Sequence, residues 1–435
     1  MSSSTLERRL GFWDAVSLVV GGVIGTAVFL VPSTLLQPHP QPLAGFLVLI
    51  FAGVMSWFGA LAYGELAAQF PNTGGEYVFL REAWSPLWGF LLGWTFFVVI
   101  QGGGIATVAS GFARLLGALV PLGRYGQPAV AAGSILVLTG VNILGVRLGA
   151  SVNNLLTVMK LSGLAWMIVA VARQPSGRTI DWAWPTHWTW WQFAAALVPA
   201  LWAYDGWNMS TMVAGEIRQP QRNLPRALAA GLLVVIGVYC LSLWIYLRVL
   251  TPAEIVASAS PATDAVQRAL GQRSALWVTV TMLVAAFGCL NTCIMTIARI
   301  YYAQAKDGLF FHLFARTHPR FHTPSTSLAL QGLMASALAA SGTYETLFSY
   351  VTFGGWVFYV MNVLGVMRLR MLHPERHRPF RMPGYPVTPV LFACVGAAFV
   401  ISMLVTTPGP SFVGLAIGAA GVPLFFHWKR RRTQH

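Results

Sequence analysis

Long apolar segments recur along almost the whole chain, and they constrain its fold more than any other feature of the sequence. Twelve such segments are separated by short polar stretches. Most of them approach or exceed the roughly 20 residues that an α-helix needs to cross the hydrocarbon core of a bilayer. Only 9% of the residues are charged, whereas a soluble domain has about 25%. The pattern predicts an all-α polytopic membrane protein with twelve transmembrane helices and argues against an ordinary soluble enzyme.

The charge distribution predicts how the chain is oriented in the membrane. If the first residues lie inside, most lysines and arginines fall on the same side as the basic run Lys429–Arg432. Such a bias is typical of cytoplasmic loops, so both termini are expected in the cytoplasm. Topology and contact with anionic lipid then account for the net charge of +15, and nucleic-acid binding is not expected. The predicted spans are Gly11–Leu36, Pro42–Phe70, Pro86–Leu119, Gln127–Val146, Asn153–Ala172, Trp190–Ala214, Pro225–Leu250, Ser274–Ala303, Thr326–Ser341, Thr346–Leu369, Val387–Val405 and Phe412–Trp428.

Two of these spans contain residues that interrupt a helix. The first reads VGGVIGTA over residues 20–27, and each glycine weakens a helix by about 1 kcal/mol relative to alanine. Close helix packing is one interpretation of such a cluster, and an unwound segment lining a cavity is the other. The sixth span reads WAYDGWN over residues 202–208, with a carboxylate beside a glycine. Because spans one and six correspond if spans 1–5 and 6–10 are two halves, the pair favours the unwound interpretation and a transport site at the midplane.

Broken helices also suit one chemical class of ligand. The positive N-terminal end of a half-helix attracts a carboxylate, and the exposed carbonyls at a C-terminal end accept hydrogen bonds from an ammonium group. A zwitterionic amino acid presents both groups. The breaks therefore predict an amino acid site.

The sequence resembles the amino acid permeases of the amino acid–polyamine–organocation superfamily, and within it the L-type amino acid transporters and their bacterial relatives. Together the blocks below are specific for the family but not for the substrate. They are GTA at 25–27, YGELAAQFPNTGGEYVFLRE at 63–82, WAYDGWN at 202–208, EIRQP at 216–220, RNLP at 222–225, FGCLN at 287–291, AR at 298–299, AKDG at 305–308 and RPFRMP at 378–383. The resemblance implies a LeuT-type 5+5 inverted repeat in a single permease domain over residues 1–435. The first repeat covers about 11–172, the second about 190–369, and two extra helices about 387–428.

The resemblance also implies roles for individual residues. The substrate carboxylate is expected at the backbone amides of Gly25, Thr26 and Ala27. The amino group is expected at the carbonyls of Val23, Trp202 and Asp205, with Trp202 also acting as the gate. Ala27 departs from the family, which usually has glycine there, and this narrows the approach to the backbone. The candidate substrate-binding residues are Gly22, Val23, Gly25, Thr26, Ala27, Trp202, Ala203, Asp205, Gly206 and Asn208.

The charged residues within the spans have alternative interpretations. Asp205 could cap the second half of the broken helix, or it could contact the substrate or a proton. Glu65, Glu216 and Arg299 lie near cytoplasmic ends, where interfacial solvation is favoured over an ion-pair network.

Lys160 lies eight residues into the fifth predicted span, about 12 Å deep at 1.5 Å per residue. Snorkelling to the interface is one interpretation of this lysine. At that depth, hydrogen bonding to the unwound carbonyls of span one is favoured, because a lone ammonium in hydrocarbon costs roughly 3 kcal/mol. The resemblance implies that it replaces the cation that sodium-coupled relatives bind.

These features predict a sodium-independent transporter of L-amino acids, neutral ones foremost, that works by alternating access and by exchange in the cytoplasmic membrane. The alternatives are a permease for cationic amino acids or polyamines, a proton symporter, and a sensor that binds amino acids without transport. No enzymatic activity, cofactor or metal is expected, since no nucleotide-binding loop, nucleophile–base pair or ligand set is apparent. The four cysteines all fall inside spans, so no disulfide-linked heavy chain is expected. The oligomeric state stays open.

Overall fold

The computed structural model describes residues 6–175, 178–185, 187–341, 344–406 and 408–432. In the first half of the chain, the helices are α1 Phe12–Val23, α2 Ala27–Leu36, α3 Pro42–Gln69, α4 Glu76–Ala83, α5 Pro86–Thr95, α6 Gln101–Gly117, α7 Gly123–Ile143 and α8 Val146–Ala172. In the second half, they are α9 Trp190–Ala203, α10 Met209–Met212, α11 Pro220–Val249, α12 Pro252–Ala257, α13 Pro261–Leu270, α14 Gln272–Lys306, α15 Ser325–Ser341, α16 Tyr344–Leu372, α17 Val387–Thr406 and α18 Pro408–Arg432. A π-helical turn over Phe96–Ile100 joins α5 to α6.

Every predicted span coincides with one of these helices or with a pair of them. Eight helical stretches are long and apolar enough to cross a membrane, and the bent pair α1–α2 brings the number to nine within the described residues. The all-helical, membrane-spanning character is therefore confirmed. Twelve crossings and the inverted repeat remain predictions.

The first broken helix lies at the centre of the bundle. α1 packs against α8, α11 and α14, and α11 packs along α3. From Ala15 onward, α1 is buried, so it has no face toward lipid. A helix enclosed on all sides can expose backbone groups only toward protein or toward an internal cavity.

The α8 helix is longer than the predicted fifth span. It begins at Val146, after Gly145 with a φ of +151°, seven residues before the predicted start at Asn153. Lys160 therefore lies 14 residues into α8, about 21 Å along its axis.

Two ion pairs near the predicted cytoplasmic ends have fully buried carboxylates, so the preference for interfacial solvation is wrong. Arg299 Nε lies 2.8 Å from Glu216 Oε2, and both side chains have no exposed surface. Glu65 is equally buried and accepts from Arg370 at 2.6 Å and from the Met382 amide at 2.8 Å. The N-terminal segment is held nearby through an isolated β-bridge between Leu10 and Ile217. Such pairs cost several kcal/mol of desolvation per ion, which well-placed hydrogen bonds offset.

Candidate substrate site at two broken helices

The first break consists of Ile24, Gly25 and Thr26, which separate α1 from α2. The two helices are bent by 45° at this point. The last four carbonyls of a helix accept no hydrogen bond from amides of that helix. In a membrane protein those carbonyls need other donors.

Side chains from three different helices supply these donors. Lys160 Nζ of α8 donates to Gly21 O at 3.0 Å and to Ile24 O at 2.7 Å. Cys289 Sγ of α14 lies 3.4 Å from Gly22 O. Tyr239 Oη of α11 lies 3.1 Å from Val23 O. The four consecutive carbonyls from Gly21 to Ile24 thus each lie within hydrogen-bond distance of a side-chain donor.

Lys160 takes the position that its depth in the sequence predicts. The side chain has no exposed surface, and its ammonium points to the unwound carbonyls and not to the interface. Because charge-assisted hydrogen bonds are about twice as strong as neutral ones, the two contacts fix the end of α1 against α8.

The second break approaches the first one closely. Residues 204–208 form a non-helical turn between α9 and α10, and Gly206 has a φ of +100°. A Cβ atom on Gly206 would lie 3.0 Å from Gly22 O, and a Cβ atom on Gly22 would lie 3.0 Å from Gly206 O. Glycine favours this contact, since a Cβ atom at either position would push the facing backbone away by a few tenths of an ångström, and the positive φ of Gly206 strains any other residue.

Tyr239 also bridges the two breaks. Its hydroxyl lies 2.8 Å from Ala203 O as well as 3.1 Å from Val23 O. These carbonyls are among those expected to receive the substrate ammonium. In this structure the tyrosine occupies them.

The amides expected to bind the carboxylate are not equivalent. The Gly25 amide donates to Val23 O at 2.9 Å, so it is already engaged. Ala27 is the first residue of α2 and Thr26 its N-cap, and amides at such a helix start have no acceptor within the helix. The carboxylate end of the candidate site therefore centres on Thr26 and Ala27.

Asp205 does not cap the second half of the broken helix. Asn208 occupies the N-cap position of α10, without a side-chain cap. Asp205 Oδ1 instead accepts from the Gly206 amide at 2.9 Å and from Tyr359 Oη of α16 at 2.8 Å. The capping interpretation is wrong, and the carboxylate stays beside the break. Trp202, the predicted gate, is 36% exposed on the last turn of α9.

Asn208 lies at the end of the second break that adjoins α10. Its Nδ2 donates to Glu76 Oε1 of α4 at 2.9 Å. Sequence analysis did not identify Glu76, Tyr239, Cys289 or Tyr359. A buried tyrosine in the middle of an apolar helix was an available signal, because its hydroxyl needs a partner.

Comparison with known proteins shows the family of this chain. The family model described as "Amino acid permease" matches residues 10–419. The chain belongs to the amino acid permease family. The predicted resemblance to the amino acid–polyamine–organocation superfamily is thereby confirmed.

Relatives of this permease are transporters in both bacteria and mammals. It is 30% identical to the serine/threonine exchanger SteT of Bacillus subtilis, over 98% of each chain. It is 28% identical to the human b(0,+)-type amino acid transporter 1, over 98% of this chain and 90% of the relative. It is 29% identical to the rat large neutral amino acids transporter small subunit 2, over 98% and 82%. This permease is therefore a multi-pass membrane protein of a transporter family.

Across the described part of the chain, no group of three or more histidine, cysteine, aspartate or glutamate side chains is placed to hold a metal ion. The charge nearest the first break is the ammonium of Lys160. The groups that the residues described above present at the site are hydrogen-bond donors, hydrogen-bond acceptors and charges.

Proposed function

We propose that this permease is a sodium-independent exchanger of neutral L-amino acids that works by alternating access in the cytoplasmic membrane, with both termini in the cytoplasm. The observation that carries the proposal is the Lys160 ammonium on the carbonyls of Gly21 and Ile24. A fixed cation there stabilises the unwound backbone permanently. A sodium ion is then not needed for that purpose.

The polarity of the two breaks supports an amino acid as substrate. The start of α2 offers amides for a carboxylate, and the carbonyls of Val23 and Ala203 face a single hydroxyl, that of Tyr239. A substrate ammonium can replace that hydroxyl, because it supplies three donors. An apolar cleft lined by Ala27, Val28 and Ala203 adjoins the breaks and favours a small neutral side chain.

Asp205 supports a second candidate, a permease for cationic amino acids. Its recorded contacts are neutral, a hydroxyl and an amide. A substrate with a second positive charge would provide a counter-ion beside the break. Asp205→Asn distinguishes the two candidates, since it should abolish transport of basic substrates only.

Exchange in proteoliposomes tests the proposal. Vesicles loaded with unlabelled L-serine should take up labelled L-serine and labelled L-leucine. For each of the two substrates, uptake should be the same with sodium outside as with choline outside. Decarboxylated amines and amino acid amides should compete poorly, since they lack the carboxylate. Empty vesicles and vesicles with the Trp202→Ala variant serve as controls, the latter retaining binding but losing most transport.

Three results would contradict the proposal. Strict sodium dependence would remove the role given to Lys160. Competition by putrescine as strong as that by L-serine would favour a polyamine permease. Binding of L-serine without uptake would indicate a sensor.

Full uptake by protein purified without any second chain would fit the expectation that no disulfide-linked partner is needed.

A further inference from the structure

Glu76 begins α4, in the loop between α3 and α5, and lies outside the candidate membrane spans. The loop is docked on the second half of the broken helix. The Gly74 amide donates to Met212 O at 2.9 Å. Gly75 has a φ of +48°, and a Cβ atom there would lie 2.9 Å from the Met212 amide nitrogen. This close contact places the Glu76 side chain directly against the second break.

The hydrogen bonds of Glu76 use only one of its two oxygens. Oε1 accepts from Tyr63 Oη at 2.6 Å and from Asn208 Nδ2 at 2.9 Å. Oε2 has no partner, and neither has Oδ1 of Asn208. Both side chains are buried, with 0% and 1% exposure. A buried polar atom without a partner destabilises the state in which it is buried.

The groups that face Glu76 bring no positive charge. They are Tyr63 of α3, Asp205 at the second break and Tyr359 of α16. α5, which packs along α4, contains no ionisable residue. The basic side chains on α4 and on the nearby ends of α14 and α16 have other contacts: Arg81 with Asp307, Arg299 with Glu216, Lys306 with the Tyr302 ring, Arg368 with the Trp84 ring, and Arg370 with Glu65. A buried carboxylate without a cation is strongly disfavoured.

One proton would satisfy both unpartnered atoms. A protonated carboxyl group donates from one oxygen and accepts at the other, and a primary amide does the same with its nitrogen and oxygen. Glu76 and Asn208 already form one half of such a pair. The two leftover atoms are both acceptors, so a hydrogen between them completes the other half.

We propose that Glu76 is a proton-binding site whose protonated carboxyl pairs with Asn208 and holds the cytoplasmic side of the second break closed. The inference rests on the proposed function, since it concerns the side from which the amino acid would leave. The proton comes from cytoplasmic water and returns to it. No bond other than the O–H bond is made or broken.

The pKa of Glu76 is raised to about 7, mainly by burial and to a smaller extent by the charge of Asp205. The hydrogen bonds from Tyr63 and Asn208 act in the opposite direction and lower this pKa. In an open state with Glu76 hydrated, the pKa returns toward its ordinary 4.5. Between pH 4.5 and about 7 the closed state therefore holds a proton that the open state has lost. The ratio of closed to open protein falls by up to about tenfold per pH unit in that window as the pH rises.

Infrared difference spectroscopy on the purified protein in nanodiscs tests proton binding directly. A protonated carboxyl band should disappear as the pH is raised through about 7, should shift in deuterium oxide, and should be absent in Glu76→Gln. Glu82→Gln is the matched control on the same helix, because Glu82 pairs with Arg81 near the surface. A band that persists in Glu76→Gln and disappears in Asp205→Asn would overturn the proposal.

Transport provides the second readout. L-Serine exchange should accelerate as the internal pH rises from about 5 to about 8, and Glu82→Gln should behave like wild type. In Glu76→Gln the glutamine can both accept and donate, so exchange should be pH-independent and as slow as wild type at low pH. A wild-type pH profile in that variant would overturn the proposal. If no amino acid is exchanged at all, the proposed function fails, and the infrared band still decides this inference. If Glu76→Gln does not fold, the infrared band is compared between wild type and Asp205→Asn. Loss of the band in Asp205→Asn would then overturn this inference, and its persistence would support it.

Discussion

Lys160 allows a prediction in which stability and transport should separate. Lys160→Met keeps most of the side-chain length but removes the donor from the carbonyls of Gly21 and Ile24. Two buried carbonyls without a donor cost about 1–3 kcal/mol each. Removing a buried ammonium recovers roughly 3 kcal/mol on the lenient insertion scale. The net effect then lies between a gain of about 1 kcal/mol and a loss of about 3 kcal/mol, so the variant should fold.

Transport by Lys160→Met should nevertheless fall at least about tenfold, because one misplaced end of a half-helix disturbs both groups of the bound substrate. Lys160→Ala adds a cavity worth about 2–5 kcal/mol and should also unfold at a lower temperature. Thermal unfolding in detergent and L-serine exchange, measured on the same preparations, check both parts. Wild-type exchange by Lys160→Met would refute the role of the ammonium. Complete loss of folded Lys160→Met would refute the balance of energies.

Two further predictions concern the breaks and the Arg299–Glu216 ion pair. Gly25→Ala should fold normally, since its Cβ atom would lie 3.6 Å from Cys289, but it should bind L-serine at least about tenfold more weakly in a thermal-shift titration. Gly206→Ala should lose about 1–3 kcal/mol of stability, because Gly206 has a φ of +100°. Equal melting temperatures for the two variants would contradict this difference. Arg299→Met leaves Glu216 buried and unpaired, so it should lower the free energy of unfolding by about 3–5 kcal/mol. The double variant Arg299→Met with Glu216→Gln should recover part of that stability. No recovery in the double variant would show that packing dominates over charge.

The broken helices could be predicted because their signals are local. Glycines at 21, 22 and 25 weaken one segment whatever surrounds it. Lys160 could be placed because a charge deep in an apolar helix has few possible partners. The sequence left the role of Asp205 open between capping and contact with the substrate or a proton, since a capping geometry depends on where the next helix begins, and α10 begins only at Met209.

The partners that were missed are far apart in the sequence. Glu65 and Arg370 are separated by 305 positions, and each alone resembles a residue solvated at the interface. Tyr239 contacts Val23 over 216 positions. The contact of the Tyr239 hydroxyl with two carbonyls depends on how α11 packs on α1. The hydropathy pattern of the sequence does not predict that packing. Long-range pairing of this kind requires the helix packing to be known first.

The β-bridge between Leu10 and Ile217 links the start of one broken helix mechanically to the end of the other. Three backbone hydrogen bonds form this strap: the Arg9 and Leu10 amides donate to Glu216 O, both at 2.9 Å, and the Arg218 amide donates to Leu10 O at 2.8 Å. At about 0.5–1.5 kcal/mol for each hydrogen bond, separation of the strap costs only about 1.5–4.5 kcal/mol. A ligand can open the strap only if it binds the separated arrangement more tightly than the strapped one by at least that amount. The strap is thus strong enough to keep the two segments together at rest, and any conformational change that separates them has to supply the free energy of three hydrogen bonds.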